Sequence, residues 1–199
     1  MEPKRSDGKN EGNMKYKIIL ASNSPRRKEL LAGLDVDFET RVIDGIDESY
    51  PSTMPVGEIP IYISEKKASA YEVAEDELLL TADTVVVLGN EVLGKPVDAK
   101  DAKRMLGELS GKTHQVITGV CLKSSLRKMS FAVTTDVTFK ELSDEDIDYY
   151  ISHYKPYDKA GAYGIQEWIG YIGVTSLNGS YFNVMGLPVQ RIYEAMKEF

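Results

Sequence analysis

Two kinds of hydrophobic pattern run along this chain: continuous apolar runs typical of buried strands, and apolar positions three or four residues apart, typical of amphipathic helices. Nearly unbroken apolar runs at 16–21 and 78–88 predict two buried strands. Helical spacing predicts a helix over 25–34, and a second is expected over about 58–74 with Pro60 in its first turn. The segment between the two helices is rich in polar residues, glycine and proline, which indicates a short strand followed by a loop.

The second half of the chain predicts a hairpin, two long strands and three helices. Gly89-Asn90 is a turn signal between the strand at 78–88 and a short strand at 91–93. The β-rich runs at 113–123 and 129–140 are expected to pair as antiparallel neighbours. The helices are predicted over about 99–109 after the capping residue Asp98, from the capping residue Ser143 to about 153, and over about 186–198. The segment 157–182 is rich in glycine and aromatic residues.

This order of elements predicts a mixed α/β fold with a substantial antiparallel component. The 199 residues suffice for one sizeable core or for two small lobes around a cleft, and we favour a single domain over 14–199. Residues 1–13 are polar and are expected to form a disordered tail, with Met14 as an alternative start.

The net charge of −7 argues against a nucleic-acid partner, because such proteins carry a large basic surface that displaces counterions. Local clusters of basic residues are therefore expected to bind small anions. The single cysteine, Cys121, has apolar neighbours and is expected to be a buried reduced thiol, which fits the cytoplasm. No apolar run approaches the roughly 18 residues of a membrane span, so no membrane partner is expected.

The start of the first helix is typical of a phosphate site. Ser24 is a candidate N-cap and Pro25 a candidate first helical residue, directly after a buried strand. A helix N-terminus presents unpaired N–H groups and a partial positive charge, which disfavours cations such as Arg26 and Arg27 unless an anion is bound nearby. The alternative is that both arginines lie on a solvated helix face.

Asp83 interrupts an otherwise apolar strand. An isolated buried carboxylate is unfavourable unless a cation, hydrogen bonds or a water-filled cleft compensates. Asp83 is therefore either a structural aspartate bonded to backbone, a metal ligand or a general base. In a regular strand its neighbour Thr84 would point to the opposite face.

Four further features have both a functional and a structural interpretation. Lys95 follows a tight hairpin and is able to reach a phosphate, whereas Lys66 and Lys67 stand late in a helix, where cations are favourable anyway. Gln166 offers an amide that can read the edge of a planar base, or it belongs to a glycine-rich turn. The acidic cluster either completes a hard-metal site or is merely solvated; its members are Asp44, Asp47 and Glu48.

Two apparent motifs are rejected. Gly107 to Thr113 resembles a P-loop, but it has three residues between its glycines instead of four, and it joins a helix to a strand. His114 and His153 are too few and too far apart in sequence to indicate a zinc site.

Taken together, four motifs resemble those of the Maf family of nucleoside triphosphate pyrophosphatases. The resemblance extends from about residue 16 to the C-terminus, and it is specific because all four motifs occur in the family's order. The motifs are Ser22-Asn23-Ser24-Pro25-Arg26-Arg27, Ala82-Asp83-Thr84, Gly94-Lys95-Pro96, and Asp158-Lys159-Ala160-Gly161-Ala162-Tyr163-Gly164-Ile165-Gln166.

The resemblance implies an α/β fold with a central twisted mixed sheet flanked by helices, two lobes around a nucleotide cleft, and often a homodimer. It also implies cleavage between the α and β phosphates of a nucleoside triphosphate with Mg²⁺ or Mn²⁺. The form of the fourth motif resembles the branch that acts on dTTP and UTP, not the branch that acts on 7-methyl-GTP.

The roles that the resemblance implies can be assigned residue by residue. Asp83 is the proton acceptor and a candidate metal ligand, together with Glu48. Substrate choice is associated with Arg26, Thr84 and Gln166. Phosphate binding is assigned to Ser22, Ser24, Arg26, Arg27, Lys67 and Lys95. Pairing of Gln166 with the O4/N3 edge shared by thymine and uracil is our hypothesis for the pyrimidine preference.

Two alternatives stay open at this point. The family is also linked to inhibition of septum formation, so the chain is alternatively a nucleotide-binding regulator of cell division with little or no turnover. A second alternative is a house-cleaning enzyme on a similar fold that acts on purine or modified triphosphates.

Overall fold

A seven-stranded mixed β-sheet forms the centre of the protein. The computed structural model describes residues 15–199, so the predictions for residues 1–13 and Met14 lie outside the described residues. The strands are β1 (Lys17–Leu20), β2 (Phe38–Thr40), β3 (Glu77–Leu88), β4 (Glu91–Leu93), β5 (Thr113–Lys123), β6 (Lys128–Phe139) and β7 (Val174–Asn178). Their order is β2-β1-β3-β5-β6-β7, with β4 beside β3. β1 is parallel to β2 and β3, and all other pairs are antiparallel, which confirms the predicted mixed sheet.

Helices flank the sheet, and most of them begin where the sequence predicts. They are α1 (Pro25–Ala32), α2 (Ile59–Ser69), α3 (Ala99–Leu109), α4 (Asp144–Tyr154), α5 (Trp168–Gly173), α6 (Tyr181–Val184) and α7 (Val189–Met196), with a short 3-10 turn over Ala160–Ala162. The predicted N-caps Ser24, Asp98 and Ser143 each accept a hydrogen bond from the backbone N–H three residues later. Among residues 15–199, no helix has the length and apolar composition needed to cross a membrane.

Two predicted helix boundaries are wrong. α2 ends at Ser69, not near residue 74. The Lys123 ammonium donates to the carbonyl of Ala68 in the last turn, at 3.1 Å, and to that of Tyr71 just after the helix, at 2.8 Å. The last helix begins at Val189 instead of 186, because Gly186 has a φ of 112°, in the left-handed region, and is not helical. The segment 157–182 contains α5, β7 and the start of α6, none of which the sequence pattern predicts.

One edge of β3 is interrupted at its middle. Residues 77–80 pair with β1 and residues 86–88 pair with β4, so within residues 15–199 no strand pairs with residues 81–85 on that edge. The other edge of β3 pairs continuously with β5. Asp83 therefore lies at a gap in the sheet, where a ligand can approach the strand.

Separate hydrophobic cores lie at the two ends of β3. One contains Leu20 and Leu80 and is built around β1, α1 and α7. The other contains Val86, Leu106 and Tyr150 and is built around α3 and α4. The gap in β3 lies between them, which agrees with two lobes around a central cleft. Cys121 is buried in a smaller cluster, as predicted.

Helix α2 crosses β5 with its backbone almost in contact with the strand. A Cβ atom on Gly119 would lie 2.2 Å from the carbonyl carbon of Pro60, so only glycine permits this approach. In this arrangement Lys67, in the last turn of α2, reaches the gap in β3.

Candidate active site

A cavity of about 330 Å³ lies at the gap in β3. It brings together residues that are more than 80 positions apart in sequence, and its lining includes most of the predicted site. The predicted residues that line it are Ser24, Arg26, Arg27, Glu48, Lys67, Asp83, Thr84, Lys95 and Gln166. Ser22 is the exception, because it lines only a second cavity that adjoins the first.

Lys67 joins the two acidic residues of the site. Its ammonium lies 2.9 Å from Oδ1 of Asp83 and 3.0 Å from Oε1 of Glu48. The Asp83 side chain is 13% exposed, and within residues 15–199 its Oδ2 has no hydrogen-bond donor. Asp83 is thus not a structural aspartate bonded to backbone; it is a cleft carboxylate with one oxygen held by a cation and the other open.

The remaining acidic residues of the predicted cluster are placed differently. Asp47 binds the Lys66 ammonium at 2.7 Å, and hydrogen bonds from Lys66 and Ser49 hold its pKa well below the usual range. Asp44 is exposed and lines only the second cavity. Glu48 alone reaches the first cavity, so it is the member of the cluster that lies near Asp83.

Arg26 and Arg27 have different environments although they are neighbours. Arg27 donates to the carbonyls of Ala82 and Gly186, both at 2.9 Å, and to the Thr84 hydroxyl at 3.0 Å. Burial lowers the pKa of its guanidinium. Three of its five N–H groups are therefore engaged inside the protein, whereas Arg26 makes one ion pair, with Asp158 at 2.9 Å, across the cleft.

The Thr84 hydroxyl forms hydrogen bonds with other side chains of the protein. Its hydroxyl oxygen lies 2.9 Å from the hydroxyl of Thr118 and accepts a hydrogen bond from Arg27. Thr118 also donates to the carbonyl of Asn183. The Thr84 side chain is thus part of a polar network that connects β3 and β5 with α1 and α6.

Gln166 lines the first cavity together with residues of α1. Its amide oxygen is buried and has no hydrogen-bond partner among residues 15–199. Gly164 packs beside it, since a Cβ at that position would lie 3.1 Å from the Gln166 amide nitrogen. An unsatisfied buried acceptor is unfavourable, so this oxygen is suited to an N–H donor from a ligand.

The second cavity, of about 430 Å³, lies under the N-terminus of α1. Asn23 and the neighbouring serines line it, and the Ser24 hydroxyl accepts from the Arg27 N–H at 3.4 Å as the helix cap. The two cavities share a border that carries most of the site's charge; it consists of Ser24, Arg26, Arg27, Glu48, Lys67, Lys95 and Asp158. Lys95 is exposed and forms no ion pair with any residue between 15 and 199.

Three residues of the site were not predicted to have a role. Asp158, Lys159 and Glu167 form consecutive ion pairs that begin at Arg26. Asp158 and Lys159 stand inside the fourth motif, but the sequence gives no sign that Glu167 reaches Lys159. Burial opposes ionisation of Asp158, yet hydrogen bonds from Lys159 and Arg26 outweigh it and lower the pKa to about 2.

The two rejected motifs have structural roles. Residues 107–113 join α3 to β5, as predicted, and do not connect a strand to a helix. His114 is buried and its Nε2 lies 2.7 Å from the Tyr163 hydroxyl, while His153 stacks on Tyr149 with ring centroids 4.1 Å apart. Within residues 15–199, no group of three or more His, Cys, Asp and Glu side chains is placed to hold a metal ion.

Comparison with known proteins gives consistent matches over nearly the whole chain. The family model described as Maf-like protein matches residues 17–199. A dTTP/UTP pyrophosphatase of Phocaeicola vulgatus is 62% identical over 186 residues, which cover 92% of this chain and 96% of that protein. A dTTP/UTP pyrophosphatase of Parabacteroides distasonis is 58% identical over 187 residues, covering 93% and 97%.

Among solved structures, a nucleoside-triphosphatase / dITP/XTP pyrophosphatase from Mycobacterium abscessus aligns with a TM-score of 0.47 and 11% identity. The alignment covers 91% of this chain and 94% of that one.

Proposed function

This chain belongs to the Maf family, and on that premise we propose that it is a pyrophosphatase that hydrolyses dTTP and UTP to the nucleoside monophosphate and pyrophosphate. One observation carries the proposal: Asp83 lies at a gap in the sheet, in a cavity that is lined both by cationic side chains, including Arg26 and Lys67, and by the neutral amide of Gln166. A nucleoside triphosphate offers a partner to each, because its phosphates are polyanionic and its base is neutral.

The substrate lies with its base at Gln166 and its phosphates toward α1. The O4/N3 edge of thymine or uracil presents one acceptor and one N–H donor, which match the amide nitrogen and the unsatisfied amide oxygen of Gln166. The α-phosphate then reaches the charged border between the cavities, near Lys67 and Lys95. The β and γ phosphates extend into the second cavity, where the N-terminus of α1 offers N–H groups and positive potential.

Asp83 accepts the proton of the attacking water at its open oxygen, Oδ2. The water oxygen forms a bond to the α-phosphorus, the bond from that phosphorus to the bridging oxygen breaks, and pyrophosphate leaves with the electron pair. Lys67 holds Oδ1, the other carboxylate oxygen of Asp83, by direct contact and so orients Oδ2 toward the water. Lys67, Lys95 and Arg26 stabilise the charge that develops on pyrophosphate.

Arg27 acts in this proposal mainly as a positioning residue. Its guanidinium holds the Ala82 carbonyl, the Gly186 carbonyl and the Thr84 hydroxyl, and so fixes β3 beside α1. Its positive charge still contributes to the potential of the cleft.

Asp83 and Glu48 fit a divalent cation. Their carboxylate oxygens are the ligands that Mg²⁺ and Mn²⁺ prefer, and Mg²⁺ commonly takes one or two carboxylates while phosphates and water supply the rest. When bound, such a cation lowers the pKa of water and neutralises phosphate charge. Lys67 contacts both carboxylates, so it holds them together on one side of the site.

The proposal extends to a cytoplasmic enzyme that forms a homodimer. The buried reduced thiol of Cys121 supports a cytoplasmic location. Sedimentation of the purified protein tests whether it forms a homodimer.

Pyrophosphate release from a panel of nucleotides tests the proposed function. We expect UTP and dTTP to be hydrolysed faster than CTP, purine triphosphates and 7-methyl-GTP, with Mg²⁺ or Mn²⁺ present. In ¹⁸O-labelled water the label should enter the monophosphate, because water attacks the α-phosphorus. Asp83→Asn should lower kcat by about 10²- to 10⁴-fold while nucleotide binding persists. Tight binding without turnover of any nucleotide would instead support the regulator.

A further inference from the structure

Four charged side chains of alternating sign connect Arg26 of α1 with Glu167, the residue that follows Gln166. Asp158 contacts Arg26 at 2.9 Å with one carboxylate oxygen and Lys159 at 2.9 Å with the other. Lys159 in turn lies 3.2 Å from Oε1 of Glu167. The other carboxylate oxygen of Glu167 accepts from the Tyr150 hydroxyl. We call these four residues (Arg26, Asp158, Lys159 and Glu167) the ion-pair chain.

Lys159 is the centre of the ion-pair chain and its most buried member. The residue is 8% exposed, whereas the side chain of Asp158 is 60% exposed and that of Glu167 is 20% exposed. A buried ammonium is stable only when carboxylates compensate it, and Lys159 has one on each side. Without it, two carboxylates would face each other with no cation between them.

The ion-pair chain ends at the segment that is proposed to read the base. Glu167 directly follows Gln166, and the Gly164 N–H donates to the Tyr150 hydroxyl at 3.0 Å. A Cβ at Gly164 would lie 3.1 Å from the side chains of Gln166, Glu167 and Lys159 alike. The Gln166 amide and the Lys159 side chain therefore pack around the same residue, Gly164.

We propose that Lys159 is a positioning residue for substrate selection, which holds the Gln166 amide in register with the phosphate-binding Arg26 through the ion-pair chain. This inference rests on the proposed function and deepens it. A base that pairs with Gln166 leaves the ion-pair chain undisturbed, so Arg26 keeps the position in which it contacts the phosphates. A base that displaces Gln166 strains the contacts of Glu167 and Lys159, and thereby the Arg26–Asp158 pair.

Lys159→Met tests the inference, because methionine keeps most of the length of the side chain and removes the charge. The measured quantity is the ratio of kcat/KM for UTP to that for CTP. We expect Lys159→Met to lower this ratio at least ten-fold in the otherwise unchanged protein, and less than two-fold when Gln166 has already been replaced by alanine. The matched control is Lys103→Met, which removes an ion pair with Asp148 outside both cavities and should leave the ratio unchanged.

An equal loss of kcat/KM for both nucleotides in Lys159→Met would overturn the inference, because it would show a structural role only. Glu167→Gln is the second variant if Lys159→Met does not fold; it should lower the same ratio, and an unchanged ratio would again count against the inference. Failure of the proposed function looks different, because the unmodified protein would then hydrolyse neither nucleotide, and both ideas would fall together.

Discussion

The Lys67 ammonium lies 2.9 Å from Oδ1 of Asp83, at the point where one edge of β3 has no strand partner among residues 15–199. The adjacent Lys66 points to a different partner, Asp47. Two consecutive lysines at the end of one helix therefore have separate roles: one contacts the candidate general base, and the other attaches the loop that carries Glu48.

Replacement of these two lysines by methionine should separate the roles. Lys67→Met removes the cation beside Asp83 and should lower kcat/KM for UTP by about 10²- to 10³-fold, the usual effect of losing a group that stabilises developing charge. Lys66→Met should lower it by less than about 10-fold, because an exposed ion pair contributes little. Steady-state kinetics of both variants measures this, and equal losses would contradict the assignment.

A second pair of neighbours, Arg26 and Arg27, should differ in their effect on stability. Arg27→Lys leaves two backbone carbonyls and the Thr84 hydroxyl with fewer donors, and should reduce the free energy of unfolding by about 2–4 kcal/mol. Arg26→Lys keeps the positive charge and alters only a cleft ion pair with Asp158, so it should cost less than about 1 kcal/mol. Urea denaturation compares them; an Arg27→Lys protein as stable as the unmodified one would show that these hydrogen bonds do not hold β3.

Much of the fold follows from local sequence signals. The strands β1, β3, β5 and β6 are apolar and β-rich over most of their length, and the caps of α1, α3 and α4 carry a side chain that identifies them. The elements that were missed, α5, β7 and α6, have at most six residues each. Such short segments contain too few helical or strand repeats to show a hydrophobic pattern. They form because they pack against the rest of the fold.

The site was predictable to the extent that its residues stand in motifs. Asp83, Lys67 and Gln166 were assigned from sequence and line one cavity. The partners of Arg27 and the contact between Lys159 and Glu167 were not assigned, because they are made across the tertiary structure. Nothing in the spacing of residues indicates which carbonyl lies opposite a guanidinium.

Gly119 should be intolerant of a methyl group. Alanine there would place Cβ 2.2–2.3 Å from the backbone of Pro60 and Ile61, so α2 would have to move away from the sheet. We expect Gly119→Ala to reduce the free energy of unfolding by about 1–3 kcal/mol. Since α2 carries Lys67, activity should also fall.

Gly107 offers the matched control for this substitution. It lies exposed within α3, and a Cβ there meets nothing within 4 Å. Gly107→Ala should raise the free energy of unfolding by up to about 1 kcal/mol, because alanine has a higher helix propensity than glycine. Thermal and urea unfolding of both variants gives the comparison, and a neutral Gly119→Ala would show that α2 can shift at no cost.

His114 should make stability depend on pH below neutrality. Burial lowers its pKa from 6.5 to about 4, so the folded protein keeps it neutral while the unfolded chain takes up a proton near pH 6.5. Its contribution to stability is therefore complete above pH 6.5 and is lost as the pH falls toward 4. Between pH 7 and pH 5 the loss is about 2 kcal/mol.

His114→Gln isolates this effect, because glutamine can still bond the Tyr163 hydroxyl but does not titrate. The variant should lose clearly less stability than the unmodified protein between pH 7 and pH 5 in urea unfolding. Glu77 and Asp158 have pKa values of about 2 and titrate mainly below this window. Parallel pH profiles for the two proteins would mean that His114 is not the titrating group.

Gln166 should determine which pyrimidine is accepted. Thymine and uracil present an O4 acceptor and an N3–H donor, and a glutamine amide complements both. Cytosine presents an amine donor and an unprotonated ring nitrogen at the same edge, which is the reverse order, so neither group matches the amide as it is oriented in the structure, and pairing would require the amide to turn over. Gln166→Glu removes the amide donor and offers acceptors only, which suits the cytosine amine. The UTP-to-CTP ratio of kcat/KM should therefore fall by roughly 5- to 150-fold, corresponding to the 1–3 kcal/mol of one base-edge pairing.

An unchanged ratio in Gln166→Glu would contradict the assignment of Gln166 as the base-reading residue and would leave base selection to the shape of the cavity. Thermal unfolding of the variant checks that it is folded.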